Sequence, residues 1–312
     1  MKLREFRRSD GPRFFALLKT EFPEEEQMMG MRPEGFEQVL RRLYRADFRF
    51  FLGLLRAFRR APFRLYVLDD AGTIAGITLL SFTARAGFLS SVVVAPEYRR
   101  RGLARQLIGA ARSEAVRRAR PYVVLRVLAT NAPARALYAS AGYATLDHQT
   151  FVVHDRPEAF VGASPSPSIR PFARPDGGAL AALANRTHSA TVREVLPVGP
   201  RDLTAERWAD RLFGAESAGW VIDRGHGPEG HLAASASPVT EAAHLSTPYL
   251  AESVEPALAL ELVRTAGAWL AARRPARIVT SLADENPRGH AALTGAGFRD
   301  SIDHFTLYRS SR

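Results

Sequence analysis

Apolar residues along this chain follow two spacings. Residues 64–70 and 74–81 alternate or run apolar around the turn residues 69–72, a pattern that predicts a β-hairpin. Residues 87–94 form a β-branched apolar run, which predicts a strand. Residues 103–119 repeat apolar positions at i, i+3/4 and i+7, which predicts an amphipathic helix. Strands and helices therefore alternate, as in an α/β domain.

Shorter patterns complete the set of predicted elements. Helices are predicted over 11–18, where Asp10 can cap the first turn, and over 36–58. A buried strand is predicted over 122–128. A short helix over 132–141 and a closing strand over 149–154 follow it.

The pattern occurs twice in the chain. Leu3–Gly11 matches Ile169–Gly177, and Asn131–Tyr143 matches Asn286–Phe298 at an offset of 155 residues. A Pro/Ser-rich stretch separates the two copies and is typical of a linker. The repeat predicts a first domain over 1–160, a linker over 161–168 and a second domain over 169–312.

Composition narrows the class of protein. The 312 residues, 46% of them hydrophobic, are enough for two domain cores. With no cysteine, the chain has no disulfide, no thiol nucleophile and no Cys-ligated metal site. The net charge of +11 lies in residues 1–160, with 27 basic against 16 acidic side chains, whereas residues 161–312 hold 16 of each. The first copy is therefore suited to an anionic ligand.

Two other uses of a basic chain are not expected. No apolar run approaches the roughly 20 residues that span a bilayer, and no apolar segment follows the basic start. We therefore expect a cytoplasmic protein without a membrane partner. The basic half lacks a known nucleic-acid-binding motif and does not interleave aromatic with basic residues, so no nucleic-acid partner is expected.

The segment 92–105 carries the strongest chemical signal. The β-branched run stops at Pro96, a basic turn with Gly102 follows, and then the amphipathic helix begins. Backbone N–H groups at such a turn, beside the positive end of a helix dipole, form an anion site. A P-loop is excluded because its Gly-x-x-x-x-Gly-Lys-Ser/Thr pattern is absent.

Two motifs together resemble the GNAT (GCN5-related N-acetyltransferase) superfamily. The first is Arg99-x-x-Gly102-x-Ala104, the coenzyme pyrophosphate loop of that family. The second runs from Asn131 to Tyr143, with Tyr138 seven residues after the asparagine. The resemblance implies two tandem GNAT folds, each with a mixed, mainly antiparallel sheet flanked by helices. The arrangement is similar to that of mycothiol synthase, a tandem GNAT type with one impaired coenzyme site.

The resemblance also implies acetyl-CoA as co-substrate, with no metal. Pantetheine would pair with the strand end and pyrophosphate would bind across the loop. The implied coenzyme-binding residues are Val92, Val93, Val94, Arg99, Arg100, Arg101, Gly102, Leu103, Ala104, Arg105 and Asn131. Tyr138 is the implied catalytic acid, because a phenol can donate to the departing thiolate.

The acceptor side is less defined. The strand before the loop, residues 88–92, has no carboxylate to act as base. The acidic residues that fall where the family binds substrate are Glu21, Glu24, Glu25 and Glu26; they can receive a cationic amine, act as base, or form a solvated surface. His148 is an alternative base. Carbonyl polarisation is assigned by the resemblance to a backbone N–H of the strand ending at Val94.

The second copy lacks the loop. At the 155-residue offset, Glu255 and Pro256 replace Arg100 and Arg101, and Leu293 replaces Tyr138. Proline removes a backbone donor and glutamate repels phosphate. We therefore expect a C-terminal GNAT domain that does not bind coenzyme productively and is structural or forms one wall of the acceptor cleft.

The expected function is N-acetyl transfer from acetyl-CoA to a primary amine by direct attack, in the first domain. The acceptor is a small-molecule or peptide amine. The alternative is a non-catalytic acyl-CoA-binding sensor or scaffold with the same fold, which the missing base keeps open.

Overall fold

A computed structural model describes most of the chain and divides it into two compact units. The described residues are 1–21, 63–162, 166–203, 214–238 and 240–311. Of these, unit one contains 1–21, 63–147 and 304–311, and unit two contains those from 148 to 303.

The elements of unit one follow the sequence predictions closely. They are β1 (Lys2–Glu5), α1 (Gly11–Glu21), β2 (Phe63–Asp70), β3 (Thr73–Phe82), β4 (Ala86–Val94), α2 (Leu103–Arg117), β5 (Tyr122–Leu128) and α3 (Ala132–Ser140). Strands β6 (Ala144–His154) and β13 (Arg299–Ser310) each contribute to both units. The one or two helices predicted over 36–58 lie outside the described residues.

Unit one is built around a mixed sheet in the order β1-β2-β3-β4-β5-β13. Every pairing in it is antiparallel except β4 with β5. One cluster joins Leu89 and Leu125 of the sheet to Ile108 of α2, whereas Val67 and Ile77 join a separate cluster that contains residues of α1. The predicted α/β class, with a mainly antiparallel sheet flanked by helices, is confirmed.

Unit two repeats this plan. Its elements are β7 (Ile169–Pro171), α4 (Gly177–Arg186), α5 (Ala190–Val195), β8 (Glu216–Asp223), β9 (Pro228–Ala236), β10 (Ala242–Leu245), β11 (Tyr249–Leu250), α6 (Pro256–Ala271), β12 (Arg277–Ala283) and α7 (Pro287–Gly295). The strand order is β7-β8-β9-β10-β12-β6, parallel only between β10 and β12, with β11 beside β9. No described helix is long and apolar enough to cross a membrane.

Each sequence copy contributes its last strand to the compact unit that the other copy mainly forms. Residues 149–154 of β6 pair antiparallel with β12, inside unit two. Residues 304–310 of β13 pair antiparallel with β5, inside unit one. The compact units therefore end at different residues from the predicted domains 1–160 and 169–312, which describe the sequence repeat and remain a prediction.

A partly buried ion pair marks the start of each repeat. Arg4 binds both carboxylate oxygens of Asp10, at 2.7 and 2.9 Å, and reaches Asp69 of the hairpin at 2.6 Å. This pairing lowers the pKa of the Asp10 carboxyl below its usual value. The equivalent contacts in unit two join Arg170 to Asp176 and to Asp223, with closest distances of 2.8 Å. In each unit these ion pairs join the first strand to the hairpin that follows. The repeated motif Arg-x-Phe-x-Arg-x-Asp-Gly therefore has a structural role.

Candidate functional site

Strands β4 and β5 separate partway along their length. They pair from Ala86 with Tyr122 to Leu89 with Leu125 and no further. Residues 90–94 of β4 continue without a β5 partner, while β5 stays paired with β13 as far as Leu128. The backbone groups of β4 on this side are left for another hydrogen-bonding chain, as at any sheet edge.

A β-bulge distorts β4 at the same point. Ser90 pairs with Leu79 and Val93 pairs with Ile77, so Ser91 and Val92 together face the single residue Thr78. Ser91 adopts a φ of 55°, a left-handed conformation that costs a non-glycine residue roughly 1–2 kcal/mol. Bulged residues leave the ladder, and strain of this kind collects at functional sites. The bulge was not predictable from the sequence, because a serine does not indicate the left-handed backbone that a glycine would.

The predicted anion loop links β4 to α2. Two of its residues have left-handed backbone: Arg100 at φ 62° and Gly102 at φ 75°. Gly102 is the N-cap of α2 and makes no side-chain cap, so this helix end keeps backbone donors for a ligand. A Cβ at residue 102 would meet nothing within 4 Å. Glycine is therefore needed for its backbone conformation, with open space beside it.

Two arginine side chains of the loop donate hydrogen bonds to backbone carbonyl groups next to it. The Nε of Arg99 donates to the Val94 carbonyl at 3.1 Å, at the end of β4. Arg101 donates to the Glu97 carbonyl at 3.1 Å and lies over the ring of Tyr98, 5.3 Å from its centroid. These contacts hold the Arg99 and Arg101 guanidinium groups against the loop.

The companion motif forms α3. The side chain of Asn131 is exposed and accepts a hydrogen bond from the N–H of Ala134 at 3.1 Å, so it caps the helix as predicted. Tyr138, two turns on, is 7% exposed and packs in the cluster that contains Leu89 and Leu125. It therefore lies in the same core as the residues at which β4 and β5 separate.

The Tyr138 phenol is held protonated. Burial raises its pKa to about 12, because the phenolate would lose its hydration. Among the described residues, none hydrogen-bonds its hydroxyl. Its ring meets that of Tyr143 edge-on, with centroids 5.7 Å apart. Tyr138 is thus a packed ring with an unused donor.

The predicted acceptor residues are only partly described. Glu21 ends α1, its side chain is outside the described set, and Glu24, Glu25 and Glu26 lie outside the described residues. His148 belongs to unit two, where its Nδ1 is 3.0 Å from Asp284. Within the described ranges, no three His, Asp or Glu side chains converge as a metal site requires.

Residues 14–143 match the family model of the acetyltransferase (GNAT) family. This N-terminal part of the chain matches the GNAT family. Solved structures share the fold over both copies. A tandem GNAT protein from the clavulanic acid biosynthesis pathway is 19% identical with a TM-score of 0.58, over 84% of this chain and 88% of that one. A GCN5-related N-acetyltransferase from Sphaerobacter thermophilus is 16% identical with a TM-score of 0.61, over 100% and 96%. The comparison with curated proteins gave no match.

The second GNAT fold has different residues at the corresponding helix start. Helix α6 begins at Pro256, and its N-cap Glu255 has extended backbone with φ −70° rather than a left-handed turn. Leu293, at the position of Tyr138, is 1% exposed and offers no polar atom. Asn286 still caps its helix, accepting from Gly289 at 3.0 Å. The copies share the asparagine cap and differ at the positions of Arg100, Arg101 and Tyr138. Loss of coenzyme binding in the second copy stays a prediction.

Proposed function

We propose that unit one binds acetyl-CoA and transfers its acetyl group to a primary amine by direct attack. The observation that carries this proposal is the separation of β4 from β5 after Leu89 and Leu125. It leaves residues 90–94 without a β5 partner immediately before a loop with positive charge and left-handed backbone. An amide-bearing pantetheine arm suits the strand edge, and a pyrophosphate suits the loop.

The chemistry then needs few side chains. A backbone N–H freed by the bulge at Ser91–Val92 would polarise the thioester carbonyl. The amine nitrogen forms the new C–N bond as the C–S bond breaks, and the amine releases one proton to solvent water. We assign the protonated Tyr138 hydroxyl as the hydrogen-bond donor that stabilises the departing thiolate, which then takes up one proton from solvent.

The experiment is titration of the full chain with acetyl-CoA, followed by a thiol-release assay across a panel of primary amines and peptides. We expect acetyl-CoA binding, and thiol release that depends on an amine in the panel. Failure to bind acetyl-CoA overturns the proposal. Binding without turnover, for any amine, would favour the sensor or scaffold function instead.

A further inference from the structure

A cavity of about 420 Å³ opens on unit one between α2 and the C-terminal end of α3. Three distant segments line it: residues 105–112 of α2, residues 140–143 after α3, and Arg309 on β13. The volume falls in the range of small-ligand sites. Arg309 lies on β13, far along the chain from the Arg99–Ala104 and Asn131–Tyr143 motifs. Neither motif therefore predicted this cavity.

The cavity is positively charged. Its lining includes Arg105, Arg112 and Arg309, and none of the described residues that line it is acidic. Each guanidinium is held by an uncharged oxygen: Arg105 by the Ser140 hydroxyl at 2.8 Å, Arg112 by the Ser311 carbonyl at 3.0 Å, and Arg309 by the Ala141 carbonyl. In the described part of the chain, no carboxylate lies within ion-pair distance of these three.

Two other arginines of unit one are neutralised by carboxylates. Arg4 pairs with Asp10, and Arg118 pairs with the buried Glu114 at 2.8 Å. Three arginines fixed around one concave space, all with neutral partners, keep their charge and much of their donor capacity for a ligand. Guanidinium forks match the terminal oxygens of a phosphate group, and charge-assisted bonds to them are the strong ones.

We infer that the Arg105–Arg112–Arg309 cavity binds a phosphate monoester, and, resting on the proposed function, that this is the 3′-phosphate of coenzyme A. Arg105 lies in the first turn of α2, about 5 Å along the axis from Gly102 at 1.5 Å per residue, and Arg112 lies about 10 Å further on. A coenzyme whose pyrophosphate lies on the loop can therefore place its ribose phosphate at the near end of the cavity.

The test compares acetyl-CoA with acetyl-dephospho-CoA by titration calorimetry at low salt, using the full chain. Wild type is expected to bind acetyl-CoA at least about tenfold more tightly, as one or more charge-assisted bonds would give. Arg309→Gln keeps an N–H donor for the Ala141 carbonyl but removes the charge. We expect it to weaken acetyl-CoA binding about tenfold and to leave acetyl-dephospho-CoA within twofold.

Two further variants supply a second test and a matched control for this comparison. Arg112→Gln removes a second charge from a different element, and the same selective loss is expected should Arg309→Gln fold poorly. Arg120→Gln is the matched control: Arg120 also donates to a carbonyl, that of Ala84 at 2.9 Å, but does not line the cavity. It is expected to bind both coenzymes as wild type does.

The outcomes separate the two proposals. If wild type binds neither coenzyme, the proposed function fails. If wild type binds both equally, or the arginine variants weaken both equally, the function stands and the phosphate site is overturned. Inorganic phosphate is the further probe: competition with acetyl-CoA but not with acetyl-dephospho-CoA supports the assignment. Phosphate binding that survives saturation with acetyl-CoA would show a separate anion site and overturn it.

Discussion

Replacing Tyr138 by phenylalanine tests the catalytic assignment with little structural disturbance. The hydroxyl has no hydrogen-bond partner in the described structure, and the ring volume is kept, so stability should change by less than about 1 kcal/mol. Binding of acetyl-CoA should also be unchanged, because the coenzyme loop and strand edge are untouched. Only a step that uses the hydroxyl should respond.

The raised pKa limits how large that response can be. A thiol of pKa near 8.5 and a phenol of pKa about 12 differ by about 3.5 units, so complete proton transfer to the thiolate is uphill by about 5 kcal/mol. Tyr138 therefore acts mainly as a hydrogen-bond donor to developing negative charge. Such bonds contribute about 1.5–3 kcal/mol, so kcat of Tyr138→Phe should fall about 10- to 150-fold.

The assay is steady-state thiol release with the amine found active, and Tyr143→Phe is the control. Tyr143 is equally buried, and its ring lies 5.7 Å from that of Tyr138. Tyr143 also lines the proposed phosphate cavity, so the comparison is made at saturating acetyl-CoA, where Tyr143→Phe should keep kcat within about twofold. Because the pKa of Tyr138 is raised, loss of its proton cannot lower wild-type kcat below about pH 11. A fall in kcat of less than threefold, or equal falls in both variants, would refute the role of the hydroxyl.

Three further outcomes are expected. Arg101→Glu combined with Gly102→Glu should abolish acetyl-CoA binding by placing negative charge at the loop, and calorimetry showing undiminished affinity would contradict the loop assignment. Asn131→Ala removes a helix cap and should lower the free energy of unfolding, measured in urea, by about 1 kcal/mol. Asn286→Ala should lower it by more, because this variant also leaves the buried Pro248 carbonyl without a hydrogen bond. Asp10→Asn should lower the free energy of unfolding by about 3 kcal/mol at neutral pH. Because the pKa of Asp10 is lowered in the folded state, this difference between wild type and variant should shrink as pH falls below about 4. A difference that does not change with pH would be inconsistent with the ion pair.

Local features were predictable from the sequence because local chemistry determines them. The strand over 122–128 was predicted at its observed ends, and the helix starting at Leu103 was predicted at its observed start. Pro96, Gly102 and Asn131 mark boundaries through fixed backbone angles and capping, which act within a few residues.

Features that depend on distant residues were not predictable. The bulge at Ser91 arises from the register between β3 and β4, which the sequence of β4 alone does not set. The exchange of β6 and β13 depends on pairing between residues far apart in the chain. The same pairing places Arg309 in the lining of the cavity. An apolar strand carries no signal for which neighbour it will join.

The exchanged strand has a consequence for biosynthesis. Residues 304–310 complete the sheet beside β5, and a ribosome adds them only after the second copy has been synthesised. Nascent β5 therefore waits with one edge uncovered through synthesis of the second copy, exposing a template for intermolecular pairing. The coupling of early and late segments raises contact order, which slows folding. Gene fragments that stop after the first repeat would lack this strand, so recombinant work on unit one requires both repeats or a linker that restores residues 304–311.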